Sequence, residues 1–140
     1  MREINIAEYG KRHAFMKVLK AGEGTTCNLY IPNKPTLKHA FTKMLFLIAL
    51  NKFHTRKEIL NYYKNSILIQ KIFEYGNSFN PSVDHYWSDL HRFGYIRQFR
   101  DKKEIIYDLT PKGISALLSI PYSENKVFGI TDLISANNRH

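Results

Sequence analysis

The sequence predicts a mainly α chain carrying one small β-hairpin, an α+β fold of single-domain size. Three observations predict it. An apolar-periodic stretch stops at Gly94, two β-prone runs flank the charged turn Asp101-Lys102-Lys103, and Thr110-Pro111 opens a further helix. At 140 residues, the chain can bury about two-thirds of its unfolded surface around one core. With 44% apolar and 24% charged residues, it has the composition of a folded protein.

Residues 1–35 form an N-terminal extension that reads in two ways. Ile4, Ala7, Phe15, Val18 and Leu19 can line a helix face that Gly22 and Gly24 end, with a short extended piece after it. Alternatively, Phe15 to Leu19 and Cys27 to Ile31 form a hairpin. The helix is the preferred reading. Pro32 and Pro35 close the segment. Thr36 is the predicted N-cap of a helix from Leu37 to about Lys52, whose apolar stripe widens almost to the full circumference. Such a helix is the centre of the core or one side of a subunit contact, and the centre of the core is preferred. Thr55-Arg56-Lys57-Glu58 fits a capping box. The helix it starts either continues through Ser66 to Tyr75 or yields to another there. Gly76 to Asn80 is a loop.

Asn80-Pro81 predicts the start of the next helix, at about 81–93. Val83, Trp87 and Leu90 make one buried stripe, and Ser82, Asp84, His85, Ser88, Asp89, His91 and Arg92 make the opposite polar face. Gly94 is the expected left-handed stop. A hairpin follows at about 95–109. In its second strand, Ile105, Tyr107 and Leu109 face one way, with Glu104 and Asp108 facing the other. In the first strand, Ile96 and Phe99 share a face only if a bulge intervenes. The helix opened by Thr110-Pro111 ends before Pro121. The tail, residues 121–140, has a small apolar set (Val127, Phe128, Ile130, Leu133, Ile134) that folds back or reaches a partner.

Charge narrows the function. There are 21 Lys and Arg against 12 Asp and Glu, and the surplus sits mostly in residues 36–120 and not in a basic arm. Such a chain favours polyanions, with phosphate backbones ahead of anionic membranes. The longest apolar run, Met44 to Leu50, is too short to cross a bilayer, and no leader pattern opens the chain. A soluble, cytoplasmic, nucleoid-associated protein is expected. The single Cys27 gives neither a disulfide nor a thiolate pair. His85 and His91, six residues apart, lie on different sides of a helix and make no metal site. Gly22-Glu23-Gly24-Thr25-Thr26 lacks the lysine ending of a phosphate loop. No catalytic residues, metal or cofactor are expected, and the chain is not expected to be an enzyme.

Helix, stop, hairpin and helix in that order on a basic chain make the pattern of a winged helix-turn-helix. The segments Trp87-Ser88-Asp89-Leu90-His91-Arg92-Phe93-Gly94-Tyr95-Ile96 and Ile106-Tyr107-Asp108-Leu109-Thr110-Pro111-Lys112-Gly113 resemble the end of the DNA-binding domain in MarR-type and especially PadR-type regulators. The resemblance covers about residues 36–120. It implies that the helix at 81–93 enters a major groove of double-stranded DNA, with Ser82, His85, Ser88 and Arg92 near base edges. Arg97, Arg100, Lys102 and Lys103 would then hold the backbone. A homodimeric transcriptional regulator is the implied role.

The sequence departs from the family in two ways. Asp84 and Asp89 place carboxylates on the implied reading face, where they repel phosphate unless they accept from a cytosine amino group or pair with a cation. The long C-terminal dimerisation helix is also absent from the pattern. Two alternatives stay open: a plasmid or phage replication or partition protein that stacks on repeated sites, and a winged helix used as a protein-interaction module.

Overall fold

The computed structural model describes residues 17–18 and 28–137. Most of the expectations for the N-terminal extension, including Ile4, Ala7, Phe15, Leu19, Gly22 to Thr26 and Cys27, lie outside the described residues. Lys17–Val18 lies within them as strand β1, extended where a helix face through Val18 was the preferred reading, and it pairs with Phe99 and Arg100.

At the centre runs α1 (Ala40–Leu50), in which every residue from Phe41 to Leu50 is buried. That settles the choice left by its broad apolar stripe in favour of the core. Thr36 is not its cap. The Thr36 carbonyl accepts from the His39 amide at 3.3 Å to close a turn, and the helix begins one residue later. Lys43 is buried among these apolar residues, and its ammonium donates to the Asn77 carbonyl at 2.6 Å and lies 5.9 Å from the centre of the Phe79 ring. Burial pulls its pKa below the ordinary lysine value.

After β2 (His54–Thr55), the predicted capping box starts α2 (Arg56–Asn65). Thr55 accepts from the Glu58 amide at 3.1 Å, and the Glu58 carboxylate accepts from the Thr55 amide at 2.9 Å. Ser66 ends that helix and caps α3 (Ile67–Phe73), so the chain forms two helices where one or two were possible. Phe46, Tyr63, Phe73, Phe79 and Tyr86 make successive ring contacts from α1 through α2 and α3 to the fourth helix, α4 (Asp84–Arg92).

β3 (Ile96–Asp101) and β4 (Glu104–Leu109) form the hairpin, and α5 (Pro111–Leu118), α6 (Tyr122–Phe128) and α7 (Ile130–Asn137) complete the described chain. The fold is mixed α+β. The small antiparallel sheet has the order β1-β3-β4-β2. The segment after Pro121 folds back onto the core: Ile130 is fully buried, Ile134 packs against the same cluster, and Glu124 accepts from the Leu37 amide at 2.9 Å.

The hairpin corrects the alternation argument. Pairing is regular from Ile96↔Leu109 to Asp101↔Glu104, with no bulge. Ile96, Tyr107 and Leu109 join the main core on one face. Phe99 and Ile106 are buried on the other, beneath Phe53. The face expected to be polar therefore holds a second small core. Phe53 covers it with a left-handed backbone (φ 63°), fixed by donation of its amide to the Tyr107 carbonyl at 2.7 Å.

Candidate nucleic-acid interface

The start of α4 is set by a turn. Pro81 lies before the helix and not in its first turn: the Asn80 carboxamide oxygen accepts from the Ser82 amide and hydroxyl at 3.1 and 2.6 Å, and the Asn80 carbonyl accepts from the Val83 amide. The helix begins at Asp84. Trp87 and Leu90 are buried and Val83 is half-buried, and Trp87 donates its indole N–H to the Pro81 carbonyl at 2.8 Å. At 3.6 residues per turn, this leaves an outer arc centred on Ser88. Asp84 and Ser88 are exposed there, flanked by half-buried His85, His91 and Arg92.

The end of α4 is closed three times over. Gly94 takes φ 82°, the Tyr95 amide donates to the Leu90 carbonyl at 2.9 Å, and the Gly94 amide donates to that of His91 at 3.2 Å. This is the paired closure that a left-handed residue permits. Thr110, while capping α5 through the Gly113 amide, donates its hydroxyl to the Gly94 carbonyl. Lys112 donates to the Phe93 carbonyl at 2.8 Å and covers the Tyr95 ring, placing a cation at the negative end of α4. A Cβ at Gly113 would collide with the Tyr95 carbonyl oxygen. The Leu-Thr-Pro-Lys-Gly run is thus the seat of the helix above it.

The two carboxylates on α4 separate. Asp89 is not on the outer arc. It is 1% exposed, accepts from the Asn28 and Leu29 amides at 2.9 Å each, and lies 3.6 Å from Arg92. The helical repeat placed it on the polar side, and residues sixty positions earlier in the chain cover it. Asp84 has a side chain 91% exposed and pairs with Arg56 at 2.6 Å. The same Arg56 nitrogen donates to the Ser82 carbonyl at 2.9 Å, and its guanidinium carbon lies 5.2 Å from the centre of the Trp87 ring. Arg56 is the residue that sequence reading missed. Its only signal is a cation at the start of α2, which does not reveal that α2 begins beside α4.

The eight predicted side chains fall into three groups. Ser88, Arg100, Lys102 and Lys103 are exposed. His85 and Arg92 edge the arc, Arg92 leaning on Asp89. Ser82 and Arg97 are engaged. The Ser82 hydroxyl donates to Asn80, and Arg97 binds Asp108 at 3.0 Å while covering Phe99. Asp108 is 4% exposed, and burial raises its pKa while Lys52 and Arg97 pull it back down. The hairpin's cations therefore gather at its end, where Lys102 and Lys103 make a two-residue turn with Lys102 at φ 60°. Asp101 and Glu104 flank that turn and partly offset its charge.

No group of three or more His, Cys, Asp or Glu among the described residues could hold a metal ion. No described helix is long and apolar enough to cross a membrane. No family model, curated protein or solved structure matches the chain.

Proposed function

We propose that this protein is a winged helix-turn-helix of the PadR and MarR kind that binds double-stranded DNA sequence-specifically and acts as a homodimeric regulator. One observation carries the reading. Helix α1, strand β2, helices α2, α3 and α4, and hairpin β3–β4 follow in that order, with α3 inserted between the supporting and the reading helix and with β4 between β3 and β2. In such an arrangement α4 is the groove-reading helix, α1 and α2 support it, and the hairpin is the wing.

The chemistry supports it. The outer arc of α4 offers a hydroxyl, two imidazoles and a guanidinium, all short or directional groups suited to base edges. The turn offers Lys102 and Lys103, with Arg100 close behind, for phosphates. Arg97 acts through Asp108 to hold the base of the wing.

A salt-titrated gel shift on duplex DNA tests the proposal. Wild type should lose affinity steeply with salt. The triple variant Arg100→Ala/Lys102→Ala/Lys103→Ala should bind more weakly on every sequence, with a log–log salt slope shallower by about two to three. Ser88→Ala should instead change which sequences are preferred. Binding that ignores both salt and the triple variant would refute the proposal.

A further inference from the structure

Resting on the DNA-binding reading, we infer that Asp84 is a base-reading residue that selects cytosine in the major groove, with Arg56 as the positioning residue that makes its carboxylate tolerable there.

The carboxylate stands in the first turn of α4, on the arc centred on Ser88, with its side chain 91% exposed. A lone anion facing phosphates is repelled, so its place on this surface needs both a neutralising partner and something to accept from. Arg56 supplies the first: one nitrogen bridges Oδ1 of Asp84 at 2.6 Å and the Ser82 carbonyl at 2.9 Å, and its plane sits by Trp87. The cation is thereby tied to the turn that starts the helix, so the pair is held as a unit and is close to neutral. Oδ2 accepts no hydrogen bond from the described residues and retains its lone pairs.

What those lone pairs can accept is limited. A carboxylate has no donor, and the major groove offers only two donors, the amino groups of cytosine and adenine. Adenine's amino group is flanked by its own N7 and by thymine O4, both acceptors that repel an anion. Cytosine's has an acceptor on one side only. An acceptor-only group therefore favours cytosine, whereas a carboxamide, which has both functions, suits adenine.

Selection from a random-core duplex library tests this with wild type, Asp84→Asn and Asp84→Ala. Circular dichroism should be unchanged, because the side chain is almost wholly exposed. Wild type should fix cytosine at one position by about tenfold over the other bases. Asp84→Asn should move that preference to adenine and leave the remaining positions alone. Asp84→Ala should erase it. The same consensus from all three proteins, with the alanine variant merely binding every duplex more tightly, would show an electrostatic brake and overturn the inference while leaving the DNA-binding reading standing. Failure of wild type to bind any duplex at low salt would remove both.

Discussion

The two ends of α4 are held by opposite means. At its C-terminal end, Asp89 is buried under the Asn28 and Leu29 amides, Gly94 closes the helix, and Thr110 and Lys112 bond to the carbonyls beyond it. At its N-terminal end, Asp84 projects from the surface and a single arginine ties the first turn to α2. One end is fastened by several directional bonds from distant parts of the chain. The other is open and carries its charge outward. Identical residues five positions apart thus do different work: Asp89 holds the helix in place, and Asp84 faces whatever the helix meets.

That contrast has an order of magnitude. Asp89→Ala should be the most damaging change, costing about 3–5 kcal/mol in denaturant unfolding, because it removes the buried acceptor of the Asn28 and Leu29 amides. Gly113→Ala should follow at about 1–3 kcal/mol, since the new methyl must push the Tyr95 carbonyl away from its seat. Both losses belong to the closed end. Asp84→Ala should cost less than about 1 kcal/mol, as an exposed ion pair ordinarily does. Equal losses for Asp84→Ala and Asp89→Ala would erase the distinction between the ends.

The base of the hairpin sharpens the comparison through pH. Burial raises the folded-state pKa of Asp108 above its ordinary 3.8. The native state therefore takes up this proton at a higher pH than the unfolded chain does. The cost of keeping the group ionised is present near neutral pH and disappears once both states are protonated. Asp108→Asn, neutral at every pH, should gain stability relative to wild type as pH rises from about 4 to about 7. It should also release Arg97 and steepen the salt dependence of DNA binding by about one. A stability difference that narrows over this range would mean that attraction to Arg97 outweighs burial.

Several features settled within four residues were legible in the sequence, although the local turns at Thr36 and Asn80, which delay the helices after them, were not. The Thr55–Glu58 capping box, the stop at Gly94, the helix start at Thr110-Pro111 and the second hairpin strand ending at Leu109 follow from local chemistry, and the structure has them where they were expected. Features settled by distant partners were not. β1 and β2 are two residues long and exist only through pairing with β3 and β4. Asp89 looks like a surface residue until Asn28 and Leu29 cover it. Ile96 and Phe99 looked incompatible because nothing local announces that Phe53 buries the hairpin's second face. The candidate site shows the same division. Ser88 and the exposed turn lysines follow from periodicity and turn chemistry, whereas the commitments of Arg56, Ser82 and Arg97 depend on neighbours that no spacing rule supplies.

Directed cleavage of duplex DNA is the most direct trial of the central claim, that the open arc of α4 and the wing turn address one double helix together. An iron chelate would be tethered at Ser88→Cys or at Lys102→Cys in a Cys27→Ser background, on a duplex containing the selected site. The account predicts cuts within a single major groove from position 88 and cuts on the adjoining backbone, inside one helical turn, from position 102. Cleavage from position 102 alone, or cuts from the two positions scattered without a fixed offset, would contradict it.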